Sequence, residues 1–70
     1  MKELTREELP TDGTHFVVTW TFGERQWAGR ATVIRGIVHL DPYVAREPIP
    51  MYEESCTNIR FWQFPEGETT

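Results

Sequence analysis

Large apolar side chains alternate with other residues just after His15, and this alternation constrains the fold more than any other feature. Every second position is held by a member of the quartet Phe16, Val18, Trp20 and Phe22. Successive side chains of a β-strand point to opposite faces, so the quartet shares one face. The pattern predicts a strand whose aromatic face is buried in a dry interior, which leaves little material for a reaction centre.

Further strands are predicted over residues 27–34, 37–40 and 58–64 from the same kind of pattern. In the first of them Trp27 is predicted to face inward. Between the first and the second, Arg35-Gly36 has the two-residue spacing of a tight hairpin. Small residues opposite the large rings should let those rings interdigitate, and Gly29 inside a strand predicts a bulge or a sharp bend.

The segments between these strands are punctuated by polar residues and prolines. Thr5 and Glu8 have the spacing of a capping box, which predicts either a short helical turn or a frayed N-terminus. Three prolines in residues 41–50 predict an ordered, extended loop, pinned to the body by Tyr43, Val44 and Ile49. Residues 51–57 are compatible with either helix or strand.

The combined pattern predicts a mainly β fold, either all-β or α+β. We expect a small curled antiparallel sheet or half-open barrel of about four strands, with a short N-terminal helical turn. Residues 1–64 are predicted to form a single domain, and residues 65–70 a flexible acidic tail.

The composition limits the cellular compartment and the kinds of site that the chain can have. The 70 residues carry a net charge of −4, and the acidic residues concentrate toward both ends. The single cysteine excludes an internal disulfide and a cysteine-based zinc cluster. No apolar run approaches the roughly 20 residues of a membrane span, so no membrane association is expected. A small chain without disulfides is typical of the cytoplasm, which is the expected location.

Catalytic constellations are sparse. His39 and Asp41 fall on one face at a strand end, where an acid–base pair or a two-ligand metal site could form, but nothing joins them at a recognised spacing. Cys56 lies beside glutamates without a nearby histidine and fits a small packing residue better than a nucleophile. The sequence predicts a protein that is not an enzyme and uses no cofactor or metal.

Nucleic-acid binding is the first alternative. Arg25, Arg30 and Arg35 surround Trp27, and small barrels bind single strands by stacking bases on aromatic rings beside arginines. The acidic ends oppose the electrostatic attraction that usually supplies affinity for phosphates. Single-stranded nucleic acid is therefore kept as the second choice.

Protein binding is favoured by the use of arginine and tryptophan, the residues most enriched at interface hot spots. Exposed sheet edges also permit homodimerisation by strand pairing. The predicted contact residues are the charged and aromatic ones on the less buried side: Arg30, Arg35, Tyr52, Glu53, Glu54, Arg60 and Trp62.

Two short motifs lie near the ends of the chain. Leu9-Pro10-Thr11-Asp12-Gly13 is followed by Phe16-Val17-Val18, and the segment at 58–66 contains Phe61, Trp62 and Pro65. These motifs resemble the Leu-Pro-x-x-Gly opening with its first strand, and the Trp-Pro closing segment, of a family of short phage- and prophage-borne proteins of unknown function, with Phe61 in place of a histidine. The resemblance implies a compact sheet domain of viral origin that acts in a bacterial host cell, and it implies no established activity.

Small acidic proteins of this kind commonly bind and inhibit a protein or protein complex of the host. The expected function is that of a non-enzymatic, phage-type interaction protein that sterically inhibits a host protein, such as a nuclease, a defence complex or a polymerase.

Overall fold

The computed structural model of the chain describes residues 2–41 and 47–64, which form one antiparallel sheet. In chain order the elements are β1 (Glu3–Leu4), the 3-10 helix η1 (Arg6–Glu8), β2 (Phe16–Phe22), β3 (Arg25–Ile34), β4 (Ile37–Leu40), β5 (Ile49–Pro50), the 3-10 helix η2 (Glu53–Ser55) and β6 (Thr57–Trp62). Across the sheet the strand order is β1-β6-β2-β3-β4-β5. The predicted mainly β class is confirmed.

The sheet has six strands, where about four were predicted, because a two-residue strand lies at each edge. β1 pairs with the end of β6, where Leu4 lies opposite Phe61, and β5 pairs with β4. Two residues are too few for an alternation to be recognised in the sequence. Pro50 has no amide proton to donate, and an edge strand tolerates this loss. Residues 42–46 of the predicted loop, with Tyr43 and Val44, and the predicted tail at 65–70 lie outside the described residues.

Two tight hairpins build the centre of the sheet. At the second, Arg35 and Gly36 have φ values of 54° and 79°, the left-handed pair of a type I′ turn, and the predicted hairpin is confirmed. At the first, Gly23 and Glu24 have φ values of 60° and 66° and form the same turn. Because this turn has only two residues, β3 begins at Arg25, two residues earlier than the predicted start at residue 27.

The core lies on one face of the sheet. Phe16 and Val18 are buried on β2, and Phe61 beside them on β6 meets the Phe16 ring edge-on at a centroid distance of 5.9 Å. Burial then fades toward the β2–β3 turn. Phe22 is 52% exposed, so the expectation that the whole quartet faces a dry interior is wrong at its last member. Trp27 lies opposite Trp20 in the register and was predicted to face inward, but it is 42% exposed.

Residues from outside the central strands cover the core face. Leu9, which follows η1, and Met51, which follows β5, are both buried against it. Arg6 on η1 forms an ion pair with Glu53 on η2, and its guanidinium lies 5.0 Å from the centre of the Phe61 ring. This contact ties the two short helices together over the core. The predicted N-terminal turn is therefore present, and Thr5 donates its backbone N–H to the Glu8 carboxylate at 2.8 Å.

The irregularity of the sheet lies in the pairing of β2 with β6. The bulge that was expected at Gly29 does not occur. Val18 and Gly29 are paired within an unbroken β2–β3 register. The register between β2 and β6 shifts between Thr19 and Thr21 instead, and Asn58 has a φ of 53° at that place. Asparagine tolerates this left-handed conformation better than most residues.

We predict that Gly29→Ala stabilises the protein. A Cβ added at Gly29 would lie 3.5 Å from the Trp20 ring and 3.6 Å from the Leu40 side chain, which is ordinary van der Waals contact. Alanine restricts the unfolded chain, so the free energy of unfolding should rise by about 0.5 kcal/mol. Urea unfolding followed by circular dichroism measures this. Gly36→Ala is the matched control and should destabilise, because Gly36 has a φ of 79°.

Candidate functional site

The face of the sheet opposite the core, here called the open face, carries two aligned rows of side chains. In one row Val17 lies between Trp62 and Arg30. In the next, Thr19 lies between Arg60 and Ala28. The residues that cover the core pack against the other face, and Ala28, Arg30 and Arg60 on the open face are exposed. This face is therefore available for contacts with another molecule.

A groove of about 570 Å³ crosses the open face. It is called the open-face groove, and it is lined by Thr19, Trp20, Gln26, Trp27, Ala28, Asn58, Arg60 and Trp62. The short side chains of Thr19 and Ala28 leave space beside the Trp62 indole. The bulge at Asn58 places a carboxamide at the same groove. The lining combines an aromatic surface with amide and guanidinium hydrogen-bonding groups.

Trp62 is held in place by two neighbouring side chains. Its Nε1–H donates to Thr19 Oγ1 at 3.0 Å, and the guanidinium of Arg60 lies 4.7 Å from the centre of its ring. Arg60 is fixed in turn by Glu3 of β1, to which Nε and Nη2 donate at 2.9 and 2.7 Å. A bidentate pair of this kind fixes the plane of the guanidinium. The indole is thereby held in one orientation.

The ion pair also changes the protonation of its members. The hydrogen bond from Arg60 lowers the pKa of the Glu3 carboxyl, and the same contact raises the pKa of Arg60. Hydrogen bonds from Thr5 lower the pKa of Glu8. Hydrogen bonds from Thr14 lower the pKa of Asp12. The N-terminal segment therefore favours the ionised form of three carboxyl groups.

These depressed pKa values predict a loss of stability in acid. A carboxyl whose pKa is lower in the folded state contributes stability that is present above its unfolded pKa, and this stability is lost as the pH falls through its folded pKa. We expect the free energy of unfolding to decrease below about pH 5, and Glu3→Gln to make this decrease shallower. Urea titrations between neutral and acidic pH test the prediction. Glu24→Gln removes a charge from a turn as the control, and an equal change of slope in both variants would contradict the role of Glu3.

The pairing of His39 with Asp41 that the sequence allowed, but did not favour, does not occur. Asp41 accepts a hydrogen bond from Arg30 Nε at 2.8 Å and lies 3.4 Å from His15 Nε2. His39 Nδ1 lies 2.9 Å from the carbonyl oxygen of Ile37. Over residues 2–41 and 47–64, no three histidine, cysteine or acidic side chains are close enough to hold a metal ion. The geometry identifies Asp41 as an ion-pair partner of Arg30.

The predicted contact residues fall into three regions. Arg30, Arg60 and Trp62 share the open face, and Arg35 lies in the β3–β4 turn between the exposed side chains of Ile34 and Ile37. The remaining three, Tyr52, Glu53 and Glu54, belong to the η2 segment on the core side of the sheet. The predicted residues therefore do not form one continuous surface.

Tyr52 borders a second depression, of about 260 Å³, called the hairpin groove. It is lined by Trp20, Phe22, Leu40, Ile49, Pro50, Met51, Tyr52, Ser55 and Cys56. This groove lies where the core face is incompletely covered, beside the β2–β3 turn. Cys56, the single cysteine, is half-buried there on the opposite side of the sheet from Trp62.

The sequence did not identify four residues that line the groove, Thr19, Gln26, Ala28 and Asn58, nor Glu3, which holds Arg60. The strand alternation does place Thr19 on the face opposite Trp20, so its position was available from the sequence. Glu3 lies 57 residues from Arg60, and no local pattern connects them.

In the described part of the chain, no helix is long and apolar enough to cross a membrane.

Comparisons with protein-family models, with curated proteins and with solved structures find no match to this chain.

Proposed function

We propose that this protein is a non-enzymatic interaction protein that binds a bacterial host protein through the open-face groove and blocks a functional surface of that protein. The observation that carries the proposal is the oriented Trp62 on an exposed sheet face, stacked with Arg60 and hydrogen-bonded to Thr19. Tryptophan and arginine are the side chains that most often dominate binding energy at interfaces. An anchor already in place loses little conformational freedom on binding.

Binding is favoured over catalysis by the way the charged groups of the open face are used. Arg60 is engaged by Glu3, and Arg30 is engaged by Asp41. A catalytic acid or base must be free to exchange a proton with a substrate. Because these charges pair with one another, they support and orient the surface, which suits a module that acts by occupying a site.

The lining of the groove indicates what the partner should offer. The Trp62 ring and Ala28 suit an apolar side chain, and the carboxamides of Gln26 and Asn58 suit backbone or amide groups beside it. Inhibition would follow from steric occlusion. The phage-type resemblance of the chain ends is what favours a host nuclease, defence complex or polymerase as the target.

The proposal is tested by affinity purification from bacterial lysate with wild type, Trp62→Ala and Tyr52→Ala side by side. We expect a partner that is retained by wild type and by Tyr52→Ala and whose affinity falls at least about tenfold with Trp62→Ala. Tyr52→Ala is the matched control, since it removes an exposed aromatic ring from the other side of the sheet.

The partner so identified should then lose its own activity when the wild-type protein is added. Two results would overturn the proposal: a partner that binds all three proteins equally, or a partner that binds through Trp62 and keeps full activity.

A second function, binding of single-stranded nucleic acid, is favoured by one observation. The Trp27 ring is 42% exposed, and the guanidinium of Arg25 lies 5.1 Å from its centre. Arginine-flanked aromatic rings are the usual stacking platforms for bases. Tryptophan fluorescence with an oligonucleotide at two salt concentrations distinguishes the functions. Quenching that weakens steeply with salt supports nucleic-acid binding, and an unchanged spectrum at low salt excludes it.

A further inference from the structure

Exposed apolar side chains gather at the end of the core face beside the β2–β3 turn. Phe22, Trp27, Ile49 and Tyr52 are 52%, 42%, 42% and 70% exposed. Three of them line the hairpin groove, and Trp27 is placed next to it by its pairing with Trp20. Soluble monomers rarely expose a contiguous apolar patch of this kind without a partner for it.

The hairpin groove has two chemically different walls. The hairpin wall is the side formed by the β2–β3 hairpin, where Phe22 lines the groove. Arg25 and Trp27 lie beside the groove, paired in the register with Phe22 and Trp20, and the Arg25 guanidinium stacks on the Trp27 ring. The segment wall runs from β5 through η2 and carries Ile49 and Tyr52 followed by two glutamates. One wall is aromatic and carries a cation, and the other is apolar and carries anions.

The charges on these walls differ in how they are used. Glu53 is paired with Arg6 within the chain. Among residues 2–41 and 47–64, no salt bridge is made by Arg25 or by the exposed Glu54. A cation on one wall and an anion on the other make each wall complementary to its opposite.

We infer that the hairpin groove is a self-association site, in which the hairpin wall of one copy packs against the segment wall of a second copy. A two-fold axis makes the contact reciprocal, so both grooves are filled at once. Phe22 and Trp27 of each copy then cover Ile49 and Tyr52 of the other, and Arg25 meets Glu54. The second copy is the occupant favoured by charge complementarity, because the patch contains both halves of the match. This association does not depend on the proposed host-protein binding at Trp62, because Phe22, Ile49 and Tyr52 do not line the open-face groove.

The test is sedimentation equilibrium of the full chain over the micromolar to millimolar range. Wild type should dimerise, and Phe22→Ser should weaken the dimer by about tenfold or more, since the contact is lost twice per dimer. Arg25→Glu and Glu54→Arg should each weaken it by roughly tenfold through like-charge repulsion. The combined Arg25→Glu/Glu54→Arg variant should regain most of the wild-type affinity.

Arg35→Glu makes the same charge reversal in the other hairpin turn and should leave the dimer unchanged. Trp62→Ala should also leave it unchanged, which separates this inference from the proposed function. A wild-type protein that stays monomeric at millimolar concentration overturns the inference. So does a combined charge variant that associates more weakly than either single variant, provided that circular dichroism shows all variants folded.

Discussion

Phe61→Ala is expected to leave much of the protein unfolded at room temperature. Phe61 is buried on β6, packs edge-on against Phe16 and supports the guanidinium of Arg6. Replacing a buried phenylalanine with alanine costs about 3–5 kcal/mol, from lost transfer energy and from the cavity left behind. A domain of this size has a total stability of only about 5 kcal/mol. Urea unfolding, or direct loss of the far-ultraviolet signal, measures the effect.

Phe22→Ala is the matched control for this large effect. It makes the same substitution on the same face of the sheet, but Phe22 is 52% exposed. At low protein concentration it should cost about 1 kcal/mol or less. Equal destabilisation by the two substitutions would show that burial does not fade along β2 as the structure has it.

Val18→Asp is expected to abolish folding at neutral pH. Val18 is 0% exposed at the centre of the core, between Gly29 on β3 and Phe61 on β6. The aspartate must either be buried as an unpaired charge or take up a proton, and each alternative costs roughly several kcal/mol of folding free energy. The predicted readout is loss of cooperative unfolding in urea and loss of near-ultraviolet dichroism.

Val17→Asp, one residue away, tests which face is dry. Val17 is half-buried on the open face and lies opposite Arg30, so the new carboxylate would meet water and a cation. We expect a folded protein that loses about 1 kcal/mol, the penalty of aspartate in a strand. If Val17→Asp proved as damaging as Val18→Asp, another element would have to cover the open face.

The strands of the sheet centre could be predicted because their sequences alternate over several residues. The Phe16–Phe22 strand and the Arg35-Gly36 turn follow directly from that local pattern. The Gly23-Glu24 turn was missed because glutamate is not a typical residue at a φ of 66°, and only the register of the flanking strands requires it. Local propensity gives way here to tertiary pairing.

The exposure of the aromatic residues could not be obtained from periodicity alone. Alternation assigns Phe22 and Trp27 to the core face correctly, but it does not reveal how far that face is covered. Coverage depends on where Leu9 and Met51 come to lie, and both arrive from distant segments. The alternation likewise places Arg60 and Trp62 on one face, whereas their supports, Glu3 and Thr19, required the strand order.

Because β1 pairs with β6, the first few residues of the chain support the side chains of the open face. The amide of Gln63 donates to the carbonyl of Lys2 at 2.8 Å, and Glu3 clamps the guanidinium that covers the Trp62 ring. Closing this contact joins two segments almost a whole chain length apart, so its entropic cost is met only once the central strands have assembled. A fusion, an affinity tag or a trimmed residue next to Lys2 would therefore disturb the open face itself.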